Sequence, residues 1–226
     1  MIRAAAALVL LCLSLLNGGV DAYVGATSLG GSLYLVNKTY RLTQAYEPPD
    51  LVQVGVPRLT SDVRMRREAA GMLEALFEAA QGDGCKLVAV SGYRSYDRQA
   101  AIYRRKVSSL GSEGKAGLLV APPGASEHQL GLAMDVGRRG NPILNAAFGS
   151  SREGQWLADN AHRFGFIIRY KAEWTADTGY SYEPWHQRYV GADHARALRA
   201  LDIPLEAYVR RLAEKHFGEY IATSRP

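Results

Sequence analysis

A change in hydrophobic spacing across Gly82-Asp83-Gly84 restricts the fold of this chain more than any other feature of its sequence. Before this break, apolar residues recur at intervals of three and four, as on one face of an α-helix. They are Met65, Ala69, Met72, Leu73 and Leu76. Ser61 or Asp62 can cap this helix, which we expect to run through Ala80. Lys86 to Val90 then predicts a strand, so the architecture must mix helices and strands.

The rest of the chain continues this mixture without regular βαβ alternation. Strands are expected at 32–36, 132–136, 165–170 and 186–190, and helices at 95–107, 151–163, 192–200 and 204–217. Residues 108–124 are rich in Gly, Ser and Pro and predict a loop. Because strict alternation is absent, we expect an α+β fold with a small central antiparallel sheet flanked by helices.

The first 22 residues are typical of an export signal. Arg3 is followed by an apolar run at 4–16, and Val20-Asp21-Ala22 ends in a small residue suited to signal peptidase. A membrane anchor is the alternative, but the run is shorter than the ~20 residues that a bilayer span needs. We therefore expect residues 1–22 to be a signal peptide and 23–226 to form one domain. The destination would be the periplasm or the cell exterior, with no stable membrane span after cleavage.

The composition indicates which partners to expect and what must stabilise the fold. Without residues 1–22 the chain keeps one cysteine, Cys85, so no intrachain disulfide can form and a hydrophobic core must stabilise the fold. Lys and Arg number 27 against 22 Asp and Glu, a net charge of +5. This mild excess suits an anionic surface such as cell-wall polymer. The sequence has no basic stripe with interleaved aromatic residues, so we expect no nucleic-acid partner.

Two of the histidines lie where a predicted loop meets a strand, each close in sequence to a carboxylate. His128 precedes Asp135 by seven residues, and His186 follows Glu183 by three. Hydrolytic zinc sites use three ligands from His, Asp and Glu and leave a position for water. His128, Asp135 and His186 supply such a set, and a metal would compensate a carboxylate in an apolar strand. On residue types alone, a salt-bridged Asp135 beside two structural histidines explains the pattern equally well.

Two further residues could complete a hydrolytic site. Glu183 could act as the base, but Pro184 disfavours helix at the residue before it, so Glu183 and His186 must meet through a bend. Arg94 follows a predicted strand and a glycine, a place from which side chains often reach into clefts. A surface ion pair with Asp97 explains Arg94 as well.

Three ordered motifs together resemble the zinc D-alanyl-D-alanine carboxypeptidases of the VanY type. They are S-G-Y-R-S…Q at 91–99, S-x-H-x-x-G-x-A-x-D at 126–135 and E-P-W-H-x-R-Y-V-G at 183–191. The segment 35–52 is similar to the lead-in of that family, so the resemblance covers 35–191. The VanX dipeptidases and the lysostaphin and Hedgehog zinc-peptidase fold group are relatives of this family, and the resemblance implies a zinc site at the cleft of the sheet.

The resemblance also implies a role for each matching residue. The implied ligands of one Zn²⁺ are His128, Asp135 and His186. Glu183 would be the general base, and Arg94 would stabilise the developing oxyanion. Ser126 and Gln99 would hold the terminal carboxylate of the substrate.

The implied activity is that of an exported zinc D,D-carboxypeptidase that removes the C-terminal D-alanine from peptidoglycan stem peptides. An L,D-carboxypeptidase or a peptidoglycan endopeptidase of the same fold is the near alternative. From other classes, a non-catalytic module that binds zinc or cell wall, or a serine hydrolase that uses Ser126 with His186 and Asp135, stays open. The presence of Glu183 and Arg94 argues against zinc storage, which needs neither.

Overall fold

The structure, a computed structural model, describes residues 25–223, with side chains described through His216. The strands are β1 (Leu51–Gln53), β2 (Arg64–Arg66), β3 (Leu87–Ser91), β4 (Ala133–Arg138), β5 (Phe166–Tyr170) and β6 (Glu183–Tyr189). The helices are α1 (Arg67–Gly82), α2 (Tyr96–Leu110), α3 (Glu113–Leu119), α4 (Arg152–Asn160), α5 (Thr175–Thr178), α6 (Ala192–Leu201) and α7 (Leu205–Thr223). The predicted signal peptide, residues 1–22, lies outside the described residues.

The strands form two small sheets, which confirms the expected α+β fold. Strands β3 to β6 make a four-stranded sheet in the order β3-β4-β6-β5, in which every neighbouring pair is antiparallel. Strands β1 and β2 form a separate antiparallel pair. Strands β4 and β6, which are central in the larger sheet, carry Asp135 and His186.

Helix α1 supplies much of the hydrophobic core, as its spacing predicts. Its buried residues are Ala69, Ala70, Leu73, Leu76, Phe77 and Ala80. They belong to one cluster with Met134 and Val136 of β4. Because side chains alternate along a strand, Asp135 between these two points to the opposite side of the sheet. Burial of each large apolar side chain contributes about 1.5–3 kcal/mol, which fixes β4 in this orientation.

A second apolar cluster lies at the C-terminal helices. Its members are Leu33, Val190, Ala195, Ala197, Leu198, Leu205, Tyr208 and Leu212. Cys85 is a buried free thiol. Among the described helices, none combines the length and the apolar character that crossing a membrane requires.

The expected strand at 32–36 is wrong, because these residues are irregular. The guanidinium of Arg188 donates to the carbonyl oxygens of Ser32 and Tyr34, at 2.9 and 3.0 Å. A buried side chain therefore satisfies backbone acceptors that a neighbouring strand would otherwise occupy.

Two other boundaries also differ from the sequence expectations. The first helix begins at Arg67 rather than near Ser61, because Met65 pairs with Val52 between β2 and β1. The expected loop at 108–124 contains helix α3. The hydroxyl of Ser112 accepts from the backbone N–H of Lys115 at 3.3 Å and so caps that helix.

Candidate metal centre

Asp135 and His186 are paired directly across the two central strands. In the register of β4 and β6 they are opposite one another, so both side chains leave the same face of the sheet. The Nδ1 atom of His186 lies 3.1 Å from Oδ1 of Asp135. Strand pairing alone therefore joins two chemically active residues that are 51 positions apart in sequence.

His128 reaches the same carboxylate from a tight turn. It lies in a 3₁₀ turn, Glu127–Leu130, that ends at Gly131 with φ of +68°. A side chain at Gly131 would be strained in this conformation and would crowd Leu51, so glycine is required there. The turn leads into β4 and places Nε2 of His128 3.3 Å from Oδ2 of Asp135. The Nδ1–H of His128 donates to the carbonyl of Gly92 at 2.7 Å, which leaves Nε2 with a free lone pair.

These three buried side chains form a donor set that fits one metal ion. One ligand atom from each of His128, Asp135 and His186 lies within 4.8 Å of the others. Nε2 of His128 has no hydrogen-bond partner among the side chains that the structure describes, an arrangement that a bound cation would complete. Two imidazoles and one carboxylate are the kind of ligand set found in hydrolytic zinc sites.

The protonation of the three groups also suits a cation. Burial, with a contribution from Arg94, lowers the pKa of His128 to about 4, so its imidazole is neutral at pH 7. Burial alone would raise the pKa of Asp135, but His128 and His186 hold it well below its usual range. Despite burial, hydrogen bonds to Asp135 and Glu127 raise the pKa of His186 to about 9. Without a metal, a proton therefore lies between His186 and Asp135, and a bound metal would take its place.

A cleft of about 350 Å³ opens beside this cluster. Its walls come from the turn that holds His128, from strands β4 and β6, from α2, and from the residues that follow α3. The lining residues with polar or charged side chains include Arg94, Gln99, Lys106, Ser126, Tyr170, Tyr180 and Glu183. All of the sequence-predicted site residues therefore line one cleft.

Glu183 reaches the cleft through an irregularity in the sheet. The register between β5 and β6 shifts between Ile168 and Tyr170, where Tyr170 pairs with Glu183. Pro184 lies in this irregular stretch, where the absence of its N–H is tolerated. Oε2 of Glu183 lies 3.9 Å from Nδ1 of His186. The predicted bend between these two residues is present.

Burial gives Glu183 the proton affinity of a base that works near neutrality. Loss of solvent raises its pKa to about 7; His186 opposes this shift and Asp135 adds to it. A carboxylate with a pKa near the working pH can both accept and return a proton.

We expect Glu183 to contribute to the stability of the metal-free protein at low pH, and this contribution should be lost as the pH rises from about 4.5 to about 7. The pKa of Glu183 is raised from 4.5 to about 7 in the folded chain. At Glu183 the folded state binds more protons than the unfolded state in this window, so its contribution to the free energy of unfolding falls, by up to about 3 kcal/mol. His128, with its pKa lowered from 6.5 to about 4, contributes in the opposite direction up to about pH 6.5, so the Glu183 part is read from the difference between wild type and Glu183→Gln. Above this window the Glu183 contribution is constant. Urea unfolding of chelated protein across the window measures the effect.

Two glutamine variants separate Glu183 from other carboxylates. Glu183→Gln should remove this part of the pH dependence, whereas Glu173→Gln, at an exposed position, should keep it. An unchanged pH dependence in Glu183→Gln would contradict the raised pKa.

Arg94 lies at the metal cluster rather than in a surface pair with Asp97. Its Nη2 is 4.0 Å from Oδ2 of Asp135, and Asp97 instead accepts from Gln44 at 2.8 Å. The Nε–H of Arg94 is buried and has no hydrogen-bond partner among the described residues. A buried donor of this kind is suited to an anion that enters the cleft.

Ser126 and Gln99 differ in the hydrogen-bonding groups that they offer in the cleft. Ser126 is buried, and its side chain makes no capping bond to the turn that it precedes. The amide N–H of Gln99 donates to the carbonyl of Ala121 at 2.6 Å, so the atom left without a partner in the described chain is the acceptor Oε1. A carboxylate needs donors, which the hydroxyl of Ser126 provides and Gln99 in this orientation does not.

The geometry disfavours a serine hydrolase. Nδ1 of His186 lies against Asp135, and its Nε2 lies 3.2 Å from Oε2 of Glu127. Both ring nitrogens therefore face carboxylates, and neither is directed at Ser126 as a general base for a serine nucleophile would be.

Sequence reasoning missed a buried group of charges behind the cluster. Glu127, Arg169 and Arg188 have fully buried side chains, and both arginines donate to Glu127 at 2.8 Å. Burial would raise the pKa of Glu127, but the two arginines hold it well below its usual range. In the sequence, Glu127 is only one more acid beside His128, and nothing local indicates its arginine partners.

Comparison with known proteins identifies the family of this chain. The family model described as VanY, D-alanyl-D-alanine carboxypeptidase, matches residues 62–192, more than half of the chain. The chain is 48% identical over 185 residues to YodJ of Bacillus subtilis (strain 168), and the match covers 80% of this chain and 67% of YodJ. It spans 59–67% of the lengths of this and two further curated relatives.

Solved structures show the same relationship. The LdcB LD-carboxypeptidase is 49% identical, with a TM-score of 0.73 over 78% of this chain and 84% of that one. A variant of the vancomycin resistance D,D-pentapeptidase VanY, in complex with Zn(II), is 35% identical, with a TM-score of 0.66 over 79% of this chain and 98% of that one. The family match and the relatives above 30% identity together show that this chain belongs to the VanY family of D-alanyl-D-alanine carboxypeptidases.

Proposed function

We propose that this protein is a zinc-dependent carboxypeptidase that removes the C-terminal D-alanine from peptidoglycan stem peptides. The observation that carries the proposal is the convergence of His128, Asp135 and His186 at the edge of one cleft that also holds Glu183 and Arg94. These three residues would hold one Zn²⁺. The complex of a related VanY with Zn(II) supports this choice of metal.

Glu183 is the proposed general base. When bound, zinc lowers the pKa of a coordinated water towards ~7 and polarises a carbonyl group. Glu183 lines the same cleft as the three proposed metal ligands. Its pKa is raised to about 7, so it can take a proton from the attacking water at neutral pH. The same carboxyl group can then deliver that proton to the leaving amine of D-alanine.

Arg94 and Ser126 would orient the peptide. The buried Nε–H of Arg94 offers a donor to the oxygen that becomes negative during attack, and removal of such a donor typically costs about 10²- to 10³-fold in rate. The hydroxyl of Ser126 would bind the terminal carboxylate. A donor at this position favours cleavage of the last residue over cleavage within a chain.

Two candidate activities differ in the configuration, D or L, of the residue before the terminal D-alanine. The resemblance in sequence motifs implies a D,D-carboxypeptidase, which cuts a pentapeptide stem. The higher identity to the LdcB LD-carboxypeptidase, 49% against 35% for the VanY complex with Zn(II), favours an L,D-carboxypeptidase that cuts a tetrapeptide stem as the second candidate. Both candidates use the same metal site, base and oxyanion donor.

The proposal extends to the location of the enzyme. The export-signal pattern of residues 1–22 supports delivery across the membrane, with residues 23–226 forming one catalytic domain. The net charge of +5 favours approach to the anionic cell wall, where stem peptides are found.

Incubation of the zinc-loaded protein with a pentapeptide and a tetrapeptide stem tests the function. We expect mass spectrometry to show the loss of one alanine residue, from the pentapeptide for D,D activity or from the tetrapeptide for L,D activity. Cleavage of cross-linked muropeptides would instead identify an endopeptidase. Binding of zinc and stem peptides without any product would overturn the proposal in favour of a non-catalytic module.

A further inference from the structure

We propose that Glu127 is a positioning residue for the metal centre, which fixes the ring of His186 so that Nδ1, and not Nε2, faces the metal. This inference rests on the proposed zinc site but concerns a residue outside the ligand set. It gives a function to the buried charges behind the cleft.

The carboxylate of Glu127 is held from three directions. Oε1 accepts from Nε of Arg169 and from Nη1 of Arg188, each at 2.8 Å, and Oε2 lies 3.2 Å from Nε2 of His186. The side chains of Glu127 and both arginines are completely buried. Charge-assisted bonds of this kind are short and strongly directional, so they determine where Oε2 lies.

Each arginine is itself anchored at a separate place. Nη1 and Nη2 of Arg169 form a two-pronged pair with Glu206, at 2.9 and 2.5 Å. Arg188 donates through Nη2 to the carbonyls of Ser32 and Tyr34, and through Nε to the carbonyl of Tyr189 at 3.0 Å. Two arginines and two glutamates balance in charge, and bonds to distant segments fix their positions. The group therefore acts as a rigid support for His186.

The position of Oε2 decides how His186 is oriented. A carboxylate oxygen can only accept, so the His186 nitrogen that faces it must carry a proton. Nε2–H therefore donates to Glu127, and Nδ1 faces Oδ1 of Asp135 at 3.1 Å. Two electron-rich atoms so close together require a cation between them, either a proton or a metal. Metal-binding histidines commonly donate their other ring N–H to a carboxylate in this way.

Two variants separate positioning from general stability. Glu127→Gln keeps the shape of the side chain but removes the charge that holds the two arginines. We expect its zinc affinity, measured by competition with a chromophoric chelator, to fall by about 10- to 100-fold. Glu153→Gln is the control, because it removes a buried carboxylate elsewhere and leaves this group of charges intact. Glu153→Gln should unfold more easily yet bind zinc within about twofold of the wild type.

Substitution of the metal by Co²⁺ distinguishes a positioning role from a purely structural one, because the visible spectrum of Co²⁺ depends on its ligands. The visible spectrum of Co²⁺ at the site should change in Glu127→Gln and stay unchanged in Glu153→Gln. If Glu127→Gln binds zinc as tightly as the wild type with an identical Co²⁺ spectrum, the positioning role is wrong.

A measurement on the unaltered protein keeps the proposal testable if Glu127→Gln does not fold. Nitrogen NMR of the His186 ring, in zinc- or cadmium-loaded protein, should show a protonated Nε2 and a metal-bound Nδ1. A metal-bound Nε2 would overturn the inference while leaving the zinc enzyme intact. Failure of the wild type to bind zinc at all would instead overturn the proposed function.

Discussion

Replacement of Glu183 by glutamine should reduce kcat by about 10²- to 10⁴-fold, the usual contribution of general acid–base catalysis. The variant cannot accept a proton, but it keeps the size and polarity of the side chain. His128, Asp135 and His186 are unaltered, so the variant should still bind zinc. Stopped assays of D-alanine release, together with chelator competition for zinc, measure the two properties on the same preparation.

Glu173→Gln is the matched control for this experiment. Glu173 is exposed and lies ten residues before Glu183, so its replacement should change neither turnover nor zinc binding. If Glu183→Gln turns over stem peptides at the wild-type rate, another group must move the proton. If it loses zinc instead, Glu183 is a ligand rather than a base.

Removal of the metal should abolish D-alanine release and also destabilise the fold. A chelator would leave His128, Asp135 and His186 with only a proton to neutralise their lone pairs. A ligand that binds only the folded state stabilises it by about 4 kcal/mol at 1,000 times its dissociation constant. We therefore expect thermal unfolding of the chelated protein to occur several degrees lower, and zinc to restore both activity and stability.

The substitution Asp135→Asn should have the same effect as removal of the metal. It removes the charge between the two imidazoles, so zinc should bind weakly and should no longer raise the unfolding temperature. Asp159→Asn, at an exposed position of α4, should respond to zinc and chelator as the wild type does. Activity that survives chelation in the wild type would contradict the metal mechanism and revive a serine nucleophile.

The candidate residues could be identified from sequence because all of them lie in three short motifs. His128, Asp135 and His186 are metal-ligand types in or close to predicted strands, and Pro184 predicts the bend at Glu183. The motifs do not specify how the segments meet. The pairing of Asp135 with His186 depends on which strands are neighbours, and the order β3-β4-β6-β5 is a property of the whole chain.

The parts that sequence missed depend on distant partners. Residues 32–36 have strand-like composition, but the Arg188 side chain takes their carbonyl groups, and nothing near residue 32 indicates this. Glu127 is buried only because Arg169 and Arg188, 42 and 61 residues away, neutralise it. Local patterns report spacing along one segment, whereas these features arise from charges that meet after the chain has folded.

The direct pairing of Asp135 with His186 would also make metal binding depend on the alignment of the two strands. If β4 slipped by one residue against β6, Met134 or Val136 would be opposite His186, and an apolar side chain would occupy the metal's position. Only the native alignment creates a site with three ligands. Zinc present during folding would therefore trap correctly aligned chains and leave misaligned ones unprotected.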